Sequence, residues 1–295
     1  MNRVILIIGV FIFFYTHHIS AQEIADSAKL YTFQTNGGNY FTGSVAFEDE
    51  SRLEIQTSDL GLVTIAKKDI KEITHVTAGQ IFSGKIWVQN KHYTRYFWSP
   101  SAYGLKRGEG YYQNLWVLFN QVSIGITDNF SMGLGMIPTF LIGRIGLDIL
   151  PIWITPKFSI PVQNEKLNIG AGVLAGRVGL IDNSNFGIVY GVCTIGNTDK
   201  NVTFGLGYGY AGGEMGNIPV INIAATTRVS RRGYLLTENY IFPGIDYNML
   251  FSIGGRTITQ VVAIDYGCFF TFVNGGFIGI PWLGLSASIK LGKKK

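Results

Sequence analysis

Four ionisable residues, Arg228, Glu238, Arg256 and Asp265, fall one each on four consecutive segments of otherwise apolar, alternating sequence. In that setting two cations and two anions can form a charged constriction that selects solutes or holds a ligand. They can instead neutralise one another as an internal salt-bridge cluster closing a small barrel. Alternating sign favours the cluster, because each ion satisfies its neighbour, whereas a pore for one kind of ion favours one sign. Glu238 and Asp265 could also form a carboxylate pair for acid–base work, but the two arginines make ion pairing the plainer account.

Little else in the chain could carry catalysis. Beyond the N-terminal leader the histidines are His75 and His92, both outside the alternating segments, so no Ser–His or Cys–His pair is expected within them. No His, Cys and Asp residues share metal-ligand spacing. Gly205-Leu206-Gly207-Tyr208-Gly209 lies within a strand pattern with no helix after it, so it is not a phosphate loop. We expect no enzyme and no cofactor; a lipid-modifying barrel is the catalytic alternative. Cys193 and Cys268 fall on different strands and read as two small buried side chains rather than a disulfide.

The elements that must position the four charges are strands. Phe130–Met136 reads FSMGLGM and Val202–Tyr210 reads VTFGLGYGY, with bulky apolar residues at every second place and Gly, Ser or Thr between. A period of two places one set on each face of a pleat. A greasy face and a face of little bulk suit a sheet between lipid and a crowded or wet interior. The phase puts Gln121, Ser123, Asn168, Gly205, Asn222, Arg228, Ser286 and Lys290 inside. It leaves Glu238 ambiguous, because LLTEN alternates poorly. An arginine on the lipid face near the midplane costs about 2–4 kcal/mol, which argues for the inward phase of the charges.

Eleven such strands follow from the pattern: Trp116–Thr127, Phe130–Ile137, Asp148–Pro161, Leu167–Val178, Phe186–Gly196, Val202–Ala211, Val220–Ser230, Tyr234–Phe242, Met249–Thr259, Val261–Phe270 and Trp282–Leu291. His92–Trp98 is the candidate twelfth. Bacterial single-chain barrels close with even numbers, so an all-β, antiparallel, up-and-down transmembrane barrel of 12 strands is expected, with 10 as the alternative. Tyr266–Ile289 lacks charge and raises the alternative of membrane helices, but its glycines and Pro281 make a poor helix.

Upstream, Leu30–Gln34, Phe41–Phe47, Arg52–Thr57 and Leu62–Ala66 are short strand candidates between Gly, Asn and Asp turns. They suggest a small SH3- or Sm-like β module over residues 22–76. Residues 77–113 then form a linker and pre-barrel segment, 114–292 the barrel, and Lys293-Lys294-Lys295 a basic tail. Residues 1–21 read as a signal peptide: Arg3, an apolar core Val4–Tyr15, and a small-residue cleavage site at Ile19-Ser20-Ala21. A core that short does not span a membrane as a helix.

The net charge is +5, and charged residues make up 15% of the chain, well under the usual share in a soluble domain. Gln22–Arg95 holds 8 Lys/Arg and 9 Asp/Glu, so the basic excess lies downstream. An exported, near-neutral module without a basic patch excludes Sm-like RNA binding. The expected partners are membrane lipid and, through the module, a periplasmic protein, with no nucleic acid. The aromatics Tyr96, Trp98, Tyr111, Trp116, Tyr210, Tyr234 and Trp282 are assigned to interfacial girdles, which use rings with one apolar and one wet end. A carbohydrate-stacking surface is the alternative.

Thr94–Asn114 reads TRYFWSPSAYGLKRGEGYYQN and runs on into LWVLFNQVSIGITDNFSMGLG. From about Tyr93 onward the chain resembles a group of uncharacterised outer-membrane β-barrel proteins of Gram-negative, Bacteroidota-type bacteria. There a similar TRYF…GEGYYQN element precedes the first regular hairpin. The resemblance implies a barrel fold and an outer-membrane location, and it implies no activity. Outer-membrane strands often finish on an aromatic; here the last finishes Ile289-Lys290-Leu291. The expected function is therefore a structural or envelope-associated barrel, with a narrow solute channel waisted by the four charges as the alternative.

Overall fold

The computed structural model describes residues 29–76, 81–82, 85–138, 150–163, 166–179, 184–243, 249–273 and 276–291. The signal-peptide assignment and the basic tail lie outside them. The chain divides into two units, Met1–Ala78 and Gly79–Lys295.

In the first unit, β1 (Leu30–Thr35), β2 (Tyr40–Glu48), β3 (Arg52–Thr57), β4 (Gly61–Ala66) and β5 (Ile70–His75) form one antiparallel sheet in the order β4-β3-β2-β1-β5. A single 3₁₀ turn, Lys67–Asp69, joins β4 to β5. Alternation puts Phe33, Leu53, Ile55 and Ile65 into one small core. A Cβ on Gly43 would lie 2.1 Å from the Gln56 carbonyl oxygen, so glycine lets β2 close on β3 at that point. The Asp49 carboxylate accepts from the Ser51 and Arg52 amides, fixing the β2–β3 turn. These hydrogen bonds hold its pKa below the ordinary aspartate value.

The second unit opens with a two-strand hairpin, β6 (Ile81–Phe82) and β7 (Lys85–Ile86). The barrel strands are β8 (Glu109–Leu115), β9 (Phe119–Gly125), β10 (Phe130–Met136), β11 (Pro151–Ile154), β12 (Lys157–Gln163), β13 (Leu167–Val178), β14 (Asn185–Gly196), β15 (Lys200–Ala211), β16 (Glu214–Arg228), β17 (Gly233–Ile241), β18 (Met249–Ile258), β19 (Val262–Val273) and β20 (Gly276–Lys290). Successive strands pair antiparallel, except that β11 and β12 both lie between β10 and β13, and β20 pairs with β8 from Gly284↔Leu115 to Lys290↔Glu109. β11 and β12 are one stave broken at Thr155-Pro156, where Thr155 still exchanges both hydrogen bonds with Gly133. The result is a closed, twelve-stave, up-and-down barrel.

The twelfth stave is β8, a correction to its expected position at His92–Trp98. The pattern ran Trp116 into one strand with the following residues because nothing there looks like a turn. Leu118 N–H nevertheless bonds the Leu115 carbonyl, and Trp116 and Val117 both take positive φ, 48° and 64°. This is the backbone of a two-residue hairpin turn that Asn-Gly normally supplies. The Trp116 indole N–H, donating to the Pro281 carbonyl at 2.9 Å, and its ring against Trp282 at 4.8 Å hold the turn in place.

The outward face is apolar around the barrel: Leu134, Phe158, Phe204, Ile253, Phe277 and Leu283 are each about half exposed or more. The inward face carries buried Ser123, Asn168, Thr194, Thr203, Asn222 and Ser286. A hydrocarbon surround makes that inversion of the usual distribution favourable.

Candidate functional site

An eight-strand barrel is just filled by its own side chains, and twelve leave more room than they fill. Residues 87–108 occupy that room. Thr94–Ser101 doubles back as a tight hairpin, with Tyr96 N–H on the Ser99 carbonyl and Ser101 N–H on the Thr94 carbonyl. His92, Arg95, Tyr96, Phe97, Ser99, Ser101 and Ala102 are all buried. The expected linker is therefore an internal plug.

Its contacts reach most of the circumference. Asp265 receives Arg95 Nη1 at 2.8 Å and Arg256 Nε at 2.5 Å. Arg256 also donates to the His92 and Tyr96 carbonyls, at 2.7 and 2.6 Å. Arg95 Nη2 donates to Ser286 Oγ at 2.7 Å. The Tyr96 hydroxyl meets Asn201 and Thr203 on β15, and Ala102 N–H donates to Thr194 on β14. Lys157 Nζ on β12 donates to the Ser101 and Tyr103 carbonyls at 2.8 and 2.6 Å. Glu238 on β17 accepts the Trp98 and Ser99 amides at 2.9 and 3.1 Å, and the Tyr240 hydroxyl at 2.7 Å. Phe97 packs on Phe269 and Trp282. A Cβ on Gly254 would lie 3.0 Å from its ring and 2.2 Å from the Tyr266 carbonyl oxygen, so glycine admits the tip to the wall.

The four predicted charges thus all take the inward phase, the ambiguous Glu238 included, but they do not form one cluster. Arg256 and Asp265 are directly opposed in register and pair. Glu238 binds backbone amides of the plug rather than an arginine. Arg228 sits apart at the end of β16, on Asp199 at 3.0 Å and between the rings of Trp87 and Tyr234 at 4.8 and 5.2 Å. Sequence reading missed Arg95, Lys157 and Asp199. Lys157 obeys the inward phase and could have been found by it; Arg95 lies in the expected strand His92–Trp98, which the structure replaces with the plug, so no phase points to it.

The aromatic set also divides. Trp116 stands at a turn, and Tyr210 takes the outward phase near the end of β15, both where a girdle would lie. The girdle assignment is corrected for Tyr96, Tyr111, Tyr234 and Trp282, which are buried and face inward. Tyr96 belongs to the plug, Trp282 packs on its Phe97, and Tyr111 lies under the Arg95 guanidinium at 5.7 Å, whereas the Tyr234 hydroxyl donates to Asp199 in the β14–β15 turn. Trp98, at the plug tip, is packed edge-on to Phe119.

His92 stays neutral inside this arrangement. Burial first, then the charges of Arg256 and Arg95, lower its pKa to about 3. Its Nδ1 lies 3.1 Å from Ser286 Oγ. The cysteines are free and half-buried. No group of His, Cys, Asp and Glu that could hold a metal occurs among the described residues.

Beyond the plug tip, toward the end of the barrel where β8 turns into β9, lies a cavity of about 300 Å³. Trp98 and Arg95 of the plug form one side; Lys157, Trp153, Tyr190 and Asn222 of the staves form others.

No protein-family model matches the sequence, and no curated protein does. Among solved structures, the "KdgM porin" is 7% identical, covering 63% of this chain and 98% of its own, at a TM-score of 0.41. The "NanC porin" is 8% identical, covering 63% and 99%, at 0.39. Omp33 of Acinetobacter baumannii is 11% identical, covering 62% and 96%, at 0.33. Likenesses this slight carry no argument, so the barrel stands on its own hydrogen-bonded closure.

Proposed function

We propose that this chain is an outer-membrane channel for small solutes, held closed by its own plug. The single observation that supports this most is the filling of the lumen. Twelve staves enclose more space than their side chains use. A separate segment closes one part through polar bonds, and a cavity remains beyond it. A barrel serving only as an envelope wall needs neither. In this reading the outer face meets lipid, and the five-stranded module meets a periplasmic protein. The mixed-sign groups latch the plug rather than select ions.

Single-channel recording in planar bilayers tests the proposal on the full chain and on Glu238→Ala, which frees the Trp98 and Ser99 amides. The expected result is brief, small openings for the native protein and more frequent ones for the variant. Arg256→Ala should act in the same direction. Silence from all three proteins, with insertion verified by heat-modifiable migration, would remove the channel and leave the structural role.

A further inference from the structure

The charges around the cavity are of one sign. Arg95 and Lys157 line it, and no aspartate or glutamate does among the described residues. Asp265 is shared by two arginines, so the Arg95–Arg256–Asp265 group carries one net positive charge. Arg95, only 4% exposed, keeps its Nε–H without a hydrogen-bond partner. Lys157, 7% exposed, is held by two neutral carbonyls and makes no ion pair among the described residues. Glu238 is turned away onto the plug amides and Tyr240, and it is absent from the lining. A buried cation without a counter-ion is costly; Lys157 is one, and Arg95 beside it shares its single carboxylate with Arg256, so the cavity is a receptor for negative charge. The walls between them are Trp98, Trp153, Tyr111 and Tyr190, flat apolar faces suited to a carbon skeleton. The volume holds about ten water-sized units.

We infer that the cavity binds a small organic carboxylate, its charge against Lys157 and Arg95 and its carbon frame among the aromatic rings. This deepens the channel reading by naming its solute class, and its meaning for transport rests on that reading. Benzoate, titrated calorimetrically into the full chain in detergent, is the probe, with benzamide as the neutral isostere. Saturable benzoate binding at least tenfold tighter than benzamide is expected. Lys157→Met should weaken benzoate at least tenfold and leave benzamide unchanged, whereas Lys157→Arg should retain it. Because Lys157 also latches the plug, Asn222→Asp serves as an independent variant: it places a carboxylate in the lining and should abolish benzoate binding. Lys200→Met, outside the cavity, should bind as the native chain does. Equal affinity for benzoate and benzamide, or unchanged benzoate binding in both Lys157→Met and Asn222→Asp, overturns the inference. A chain that conducts but does not bind benzoate loses only this inference; one that binds benzoate in silent bilayers loses only the channel.

Discussion

Replacing Asp265 by Asn tests the charge accounting of the lumen. The carboxylate is fully buried and takes three guanidinium bonds: Arg95 Nη1 at 2.8 Å, Arg256 Nε at 2.5 Å and Arg256 Nη2 at 3.1 Å. Asparagine keeps the shape, but its amide presents N–H to a guanidinium at one of the two oxygen positions. The two arginines then share no counter-ion. Removing one partner of a buried pair costs about 3–5 kcal/mol, a factor of roughly 10² to 10⁴ in the folding equilibrium. With two cations stranded, the upper part of that range is expected. Urea titration of the protein refolded into lipid vesicles, read by heat-modifiable migration, measures it. Adding Arg95→Met to the Asp265→Asn background removes one stranded charge and should recover part of the loss. An Asp265→Asn protein within 1 kcal/mol of the native one would refute the reasoning, because it would mean that water reaches these ions and the plug is not seated.

Val117→Gly should stabilise the barrel by about 1 kcal/mol in the same titration, since a β-branched residue at φ 64° carries backbone strain that glycine does not. Gly125→Val should cost about 1–3 kcal/mol, because its Cβ would sit 2.2 Å from the Lys106 carbonyl oxygen and 2.7 Å from that of Leu105, where the plug leaves the lumen. Stability should fall on acidification from about pH 6.5 toward 3. His92 takes a proton in the unfolded chain near its ordinary value of 6.5 and in the folded chain only near 3, so its contribution is complete above that window and lost through it. His92→Gln should flatten that part of a urea-midpoint-against-pH curve.

Alternation along the chain was enough to place eleven staves, the two-part organisation and the inward phase of Arg256 and Asp265, because a strand's two faces meet different solvents and the side chains record it. It also separated Asn222 and Ser286 from their greasy neighbours. Three features were decided only in three dimensions. β8 was hidden by the Trp116-Val117 turn, whose geometry is enforced by the Trp282 and Pro281 contacts rather than by turn residues. Glu238 lay in a stretch whose period is irregular, and its phase is set by the plug amides it accepts. The plug itself carries no period, because a segment packed within a lumen has no second solvent to record. Its bonds to Asp265 and Ser286 join residues 170 and 191 positions apart. Local contrast in polarity along the chain determines which faces of the staves look outward. Barrel closure and pairing between distant residues decided what fills the space inside.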